Sequence, residues 1–88
     1  MEQVTKGDVI AKLRPLNPRA SDAEIAIYAA AFLEHRTAQA NIDAHGTIVF
    51  HPRTGSPIDN PYVAVRDRTA KSLLSLGLRT GDLWTGPA

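Results

Sequence analysis

The chain contains no cysteine among its 88 residues, which excludes disulfides, thiolate zinc sites, iron–sulfur clusters and cysteine nucleophiles. Aromatic residues are scarce: Phe32, Phe50, Tyr28, Tyr62 and Trp84 make up 6% of the chain. A domain this small has a thin core, for which oligomerisation is a common remedy. Ten Lys and Arg face nine Asp and Glu, a net charge of +1. That balance excludes nucleic-acid binding by crude positive charge. The longest apolar run, Ile25 to Leu33, is about half of what a bilayer requires, so no membrane partner is expected. The opening MEQVTKGDVI lacks the basic-then-apolar layout of a secretory leader, and cytoplasm is the expected address. There is no G-x-x-x-x-G-K-[ST] and no G-x-G-x-x-G, so the chain is not expected to bind or hydrolyse ATP by itself. No cofactor is expected.

What is present is helical patterning broken at three places. Pro15 and Pro18 are expected to stop any helix begun at Thr5, upstream of which Val9, Ile10 and Leu13 form one short apolar face. Ser21-Asp22-Ala23-Glu24 is a capping box, with Asp22 and Glu24 near the positive end of the helix dipole. From Ile25 to His45 there is neither Pro nor Gly, and Gly46 supplies a left-handed stop. This predicts one helix of about 24 residues, roughly 36 Å long. Ile25, Tyr28, Phe32, Gln39 and Ile42 follow its stripe, while Ile27, Ala30, Ala31 and Leu33 broaden the apolar surface beyond one neighbour.

Thr47-Ile48-Val49-Phe50 is β-branched and aromatic, and His51 to Pro57 is rich in turn residues. A short strand or hairpin-like excursion fits, with Pro52 and Pro57 limiting it to an edge. Asn60-Pro61 then caps and opens a second helix of about 16 residues, closed by Gly77. Tyr62, Val65, Thr69, Leu73 and Leu76 form its stripe, with Val63, Ala70 and Leu74 beside it. The tail from Leu78 to Trp84 is too broken by glycine for a long helix and reads as partly mobile. The expected fold is mainly α: an antiparallel helical hairpin with a short strand-like connector, preceded by a short N-terminal helix. It forms one small domain, with residues 1–20 as N-terminal segment, 21–79 as hairpin core and 80–88 as tail.

Catalytic chemistry finds little support. Asp43, His45 and His51 do not match a zinc spacing, and His35 is expected on the solvated side of its helix. The only paired carboxylates, Asp22 and Glu24, are already explained by capping. No catalytic residue and no metal ligand is therefore assigned, and the chain is read as a non-enzyme. The charge is unevenly spread. Lys6, Lys12, Arg14 and Arg19 against Glu2 and Asp8 leave residues 1–20 at +2, and residues 21–46 stand at −3. Residues 47–88 return to +2. Asp67 and Lys71 form an i,i+4 pair on paper, whereas Arg66 and Arg68 have less obvious local partners. Either these cations are solvated surface, or they form a weak basic patch that several subunits repeat.

From residue 21 to 79 the order of motifs resembles the small terminase subunit of tailed bacteriophages, prophages and gene transfer agents. A long helix ends in His45-Gly46, and Thr47-Ile48-Val49 leads to a turn with Gly55. Asn60-Pro61-Tyr62 then starts an Ala/Leu helix finishing in Leu76-Gly77-Leu78. Two departures stand out: members often continue with Thr-Pro and a basic stretch where this chain has Arg79-Thr80-Gly81-Asp82-Leu83-Trp84, and the chain is shorter than many members. The resemblance implies a homo-oligomeric ring that binds double-stranded genome DNA. It would present that DNA to the large terminase subunit, which carries the ATPase and nuclease, in the cytoplasm of a bacterial host. It also implies that Ile25, Ile27, Tyr28, Phe32 and Leu33 serve core and subunit interface together, and that Lys6, Lys12, Arg14, Arg19, Arg66, Arg68 and Arg79 meet DNA. The residues leave two other readings open. One is a small helical DNA-binding regulator or antitoxin-like dimer, although about 14 residues between the two helices is no helix-turn-helix. The other is an interaction module without nucleic acid.

Overall fold

A computed structural model describes residues 4–81, 83 and 84. Met1 to Gln3, Asp82 and residues 85–88 lie outside the described residues, so of the tail only Thr80, Gly81, Leu83 and Trp84 are placed. Three helices and one two-stranded hairpin follow in the order α1 (Lys6–Leu16), α2 (Asp22–His45), β1 (Ile48–Phe50), β2 (Pro57–Asp59) and α3 (Pro61–Leu76). Helix α3 runs back along α2, and α1 packs across the first half of α2. No helix among the described residues is long and apolar enough to cross a membrane.

Local chemistry sets the boundaries. Thr5 and Asp8 form a reciprocal capping box at α1, and Ser21 and Glu24 form one at α2. α1 ends within the segment from Pro15 to Pro18, as expected, with Pro15 itself inside the last turn. The Asn17 N–H still reaches the Leu13 and Arg14 carbonyls at 3.0 and 3.3 Å. The chain leaves the helix at Asn17, the residue before Pro18.

Gly46 departs from expectation. Its φ of 83° is positive, but ψ of 178° makes it extended rather than left-handed helical. Its N–H closes α2 on the Ile42 carbonyl, and its own carbonyl accepts from the Asn60 side chain. Gly77 is the left-handed cap, at φ 61° and ψ 31°. A side chain at either position would be strained.

The strands pair antiparallel, with Ile48, Val49 and Phe50 opposite Asp59, Ile58 and Pro57. His51 organises the turn: its N–H donates to the Ser56 carbonyl at 2.8 Å, and its Nδ1 accepts from the Arg53 N–H at 3.1 Å. At the base of the hairpin the buried Asn60 side chain joins three elements. Its Nδ2 donates to the Gly46 carbonyl at 2.9 Å and to Asn41 Oδ1 at 2.8 Å, while its Oδ1 caps α3 by accepting from the Tyr62 N–H at 3.0 Å.

The core lies at the end of the molecule away from the hairpin. Val9 and Leu13 of α1, Ile25, Tyr28, Ala29 and Phe32 of α2, Leu73 of α3 and Leu83 of the tail form one buried cluster. Each large side chain buried there is worth about 1.5–3 kcal/mol relative to exposure. Leu83 and Trp84 are therefore part of the fold, where the sequence reads as partly mobile: Trp84 meets Phe32 edge-on with ring centroids 4.6 Å apart. The second half of α2 contributes only Ala38 and Ile42 as buried apolar residues.

Candidate nucleic-acid interface

The seven expected DNA-contacting cations are spread over α1, α3 and the segments that follow each of them. Three of them are engaged with carboxylates. Arg14 pairs with Asp22 at 2.6 Å, Arg66 with Asp67 and Arg68 with Glu34, the latter two at 3.2 Å. The Arg66–Asp67 contact stands where a Lys71–Asp67 pair was expected. All three pairs sit toward the surface, where ion pairs contribute at most about 1 kcal/mol and are screened by salt. Lys12 is exposed on α1, one turn beyond Asp8. The Thr5 backbone N–H and then its hydroxyl hold the Asp8 carboxyl below its usual range, and the Lys12 charge adds to this.

Lys6, Arg19 and Arg79 have no carboxylate within ion-pair reach among the described residues. Two of these are brought together by the tail. Asn17 sits at the end of α1 with a side chain that clamps the Arg79 backbone from both sides. Its Nδ2 donates to the Arg79 carbonyl at 2.7 Å, and its Oδ1 accepts from the Arg79 N–H at 2.8 Å. The clamp places Arg19 and Arg79 on one open groove of about 520 Å³, lined also by Asn17, Pro18, Glu24 and Leu78. Two guanidinium groups on one concave rim can bridge neighbouring phosphates, with Glu24 as the opposing charge. Asn17 was the residue that sequence reasoning passed over. Its position between Pro15 and Pro18 marked only a chain break, and a bond spanning 62 positions leaves no local signal.

The expected interface residues also divide. Ile25, Tyr28 and Phe32 are 1%, 3% and 0% exposed, so the core of a single protomer consumes them. Ile27, on the opposite side of α2, is 56% exposed, and Leu33 is partly buried. The apolar excess of α2 is thus mostly explained by two intramolecular neighbours, α1 and α3, together with the tail. Arg36 closes over the Phe32 ring at 5.8 Å.

His35 is not on the solvated side of α2. Trp84 stands edge-on to its ring at 5.3 Å, and its Nδ1 is buried with no hydrogen-bond partner. Burial first, and then the nearby Arg66 charge, push its pKa below the usual histidine range. Burial likewise pushes the Tyr28 phenol up. Both residues line an apolar cleft of about 480 Å³ between α2, α3 and the tail, with Leu74 and Trp84 at its rim. His45 is exposed in the last turn of α2 and His51 is committed to the hairpin turn. Among the described residues, no three His, Asp or Glu side chains gather in metal-ligating reach. No family model, curated protein or solved structure matches the chain.

Proposed function

We propose that the chain is a DNA-packaging adaptor of the small-terminase kind, working in the cytoplasm of a bacterial host. It assembles as a homo-oligomeric ring, binds double-stranded genome DNA and presents it to the large ATPase and nuclease subunit. Its work is binding and regulation, not bond chemistry. The observation that carries this reading is the sequence of capped elements from Ser21 to Leu78. A long helix closes at Gly46, a hairpin turns through Gly55, and Asn60-Pro61 opens a helix that closes at Gly77-Leu78.

Two physical features support it. The molecule is elongated: its radius of gyration is 15.2 Å, against about 12 Å for a compact domain of this length. It exposes 6240 Å², about 1200 Å² more than the roughly 5000 Å² of a monomeric protein of this mass. A neutral protomer with a small cationic rim gains DNA affinity only by repetition, because each phosphate contact is weak and adds to its neighbours.

The test is mass in solution by light scattering, followed by DNA binding across a salt series and co-purification with the large subunit. A multi-subunit particle whose DNA affinity falls steeply with salt is the expected outcome. A strictly monomeric chain at micromolar concentration overturns the reading. A dimer that recognises one DNA sequence at moderate salt favours a small helical regulator instead.

A further inference from the structure

Among the described residues, the two most exposed large apolar side chains are Leu74, 83% exposed, and Phe50, 71% exposed. They lie at opposite ends of the hairpin of helices. Phe50 is in β1 and shares its face with the half-exposed Ile48 by the period-two alternation of a strand. Leu74 and Trp84 rim the apolar cleft floored by Tyr28, His35 and Leu73.

The cleft cannot be filled by its own hairpin. Leu74 stands about 20 Å along α3 from Pro61, at 1.5 Å per residue, whereas strands of three residues reach only about 10 Å. Nor do the described residues at the cleft fill it, since about 480 Å³ remains open beside Trp84. One chain therefore carries an apolar knob at one pole and an apolar socket at the other. Shared between two patches, the surplus of about 1200 Å² over a compact monomer gives about 600 Å² a side, or about 1200 Å² per contact, the lower end of the range for stable interfaces.

We propose that Phe50 and Ile48 of one copy seat in the cleft between α2, α3 and Trp84 of the next copy. The contact is head-to-tail, so each protomer gives a knob and receives one, and repetition closes a ring or runs on as a filament. This rests on the ring reading above and names its contact. A closed ring protects every cleft and every Phe50 at once.

Light scattering on wild type, Phe50→Glu and Leu74→Glu tests the contact, with circular dichroism melting to verify folding. Both positions are exposed in the protomer, so both variants are expected to keep the wild-type helical signal and to unfold cooperatively, at a lower temperature where the assembly is lost. Wild type is expected to exceed two chain masses, and each variant alone to run as a monomer. An equimolar mixture of the two variants is expected to form a dimer, because the intact cleft of Phe50→Glu accepts the intact hairpin of Leu74→Glu. Variants that keep the wild-type mass overturn the knob-in-cleft contact and leave the ring reading standing. Monomeric variants whose mixture stays monomeric overturn it too, as does a wild type that stops at two copies. A monomeric wild type overturns contact and ring together. An assembly that follows these rules but binds no DNA at low salt overturns the packaging function and leaves the contact intact.

Discussion

Asn17 and Arg79 are held together by both ends of one carboxamide, at 2.7 and 2.8 Å, across 62 positions of sequence. The same Nδ2 also donates to the Leu13 carbonyl at 3.0 Å. One side chain thus ties the end of α1 to the segment that carries Leu83 and Trp84 onto the core.

Replacing Asn17 by Ala removes both bonds to Arg79 at a net cost of about 1 kcal/mol each. With the bond to the Leu13 carbonyl also lost, the expected loss is about 2–3 kcal/mol in urea or thermal unfolding. Trp84 is the only tryptophan, so its emission reports the tail directly. A red shift under native conditions shows the tail detached, and an unchanged spectrum argues that Leu83 and Trp84 hold without the clamp.

Asn60→Asp separates the two duties of a buried cap. The carboxylate keeps an acceptor for the Tyr62 N–H but loses both donors, and sets a negative charge against the Gly46 carbonyl and Asn41 Oδ1. Leaving a charge buried among acceptors costs about 3 kcal/mol or more, well above the roughly 1 kcal/mol of an ordinary lost cap. Chemical denaturation of Asn60→Asp and Ser21→Ala side by side checks this ranking.

Acidification weakens the fold through His35. The unfolded chain takes up this proton around the ordinary histidine value of 6.5, and the folded chain only at lower pH. Between those values the unfolded state binds more protons, so stability falls as pH falls through the ordinary histidine range and is fully present above it. His35→Phe keeps a ring against Trp84 and cannot titrate. Melting temperatures of the two proteins are expected to diverge from about pH 7.5 down to about pH 5, with the wild type falling faster.

For DNA, Arg19→Ala and Arg79→Ala are each expected to reduce the slope of log affinity against log salt by about 0.9 for every phosphate left unneutralised. Arg68→Ala changes it less, because Glu34 already occupies that guanidinium. Filter binding from low to physiological salt distinguishes them. Equal slopes for all three variants count against the groove.

The helix limits were legible because their signals are local. Ser21 with Glu24, Asn60 with Pro61, and the glycines at 46 and 77 act within four residues of themselves. The same rule explains α1, where Thr5 and Asp8 make a box that the prolines downstream had overshadowed. What joins distant segments was not legible. Nothing near Trp84 announces Phe32, and nothing near Arg68 announces Glu34, since such pairs exist only once α3 lies along α2. The residues of α2 expected to serve core and interface together show the same limit. A helix apolar on several sides needs several neighbours, but sequence does not say whether they belong to the same chain, and Ile25, Tyr28 and Phe32 found theirs inside the protomer.

The carboxamide of Asn60 bridges the chain leaving α2 to the chain entering α3, and the Asn60 N–H meets the Thr47 carbonyl at 2.8 Å. Entry and exit of the intervening stretch are thereby stitched shut at its root. The turn from residue 51 to 56 is consequently an exchangeable cassette, in which a longer loop or a peptide tag can replace the native one without disturbing either helix. The protein carries its own grafting port.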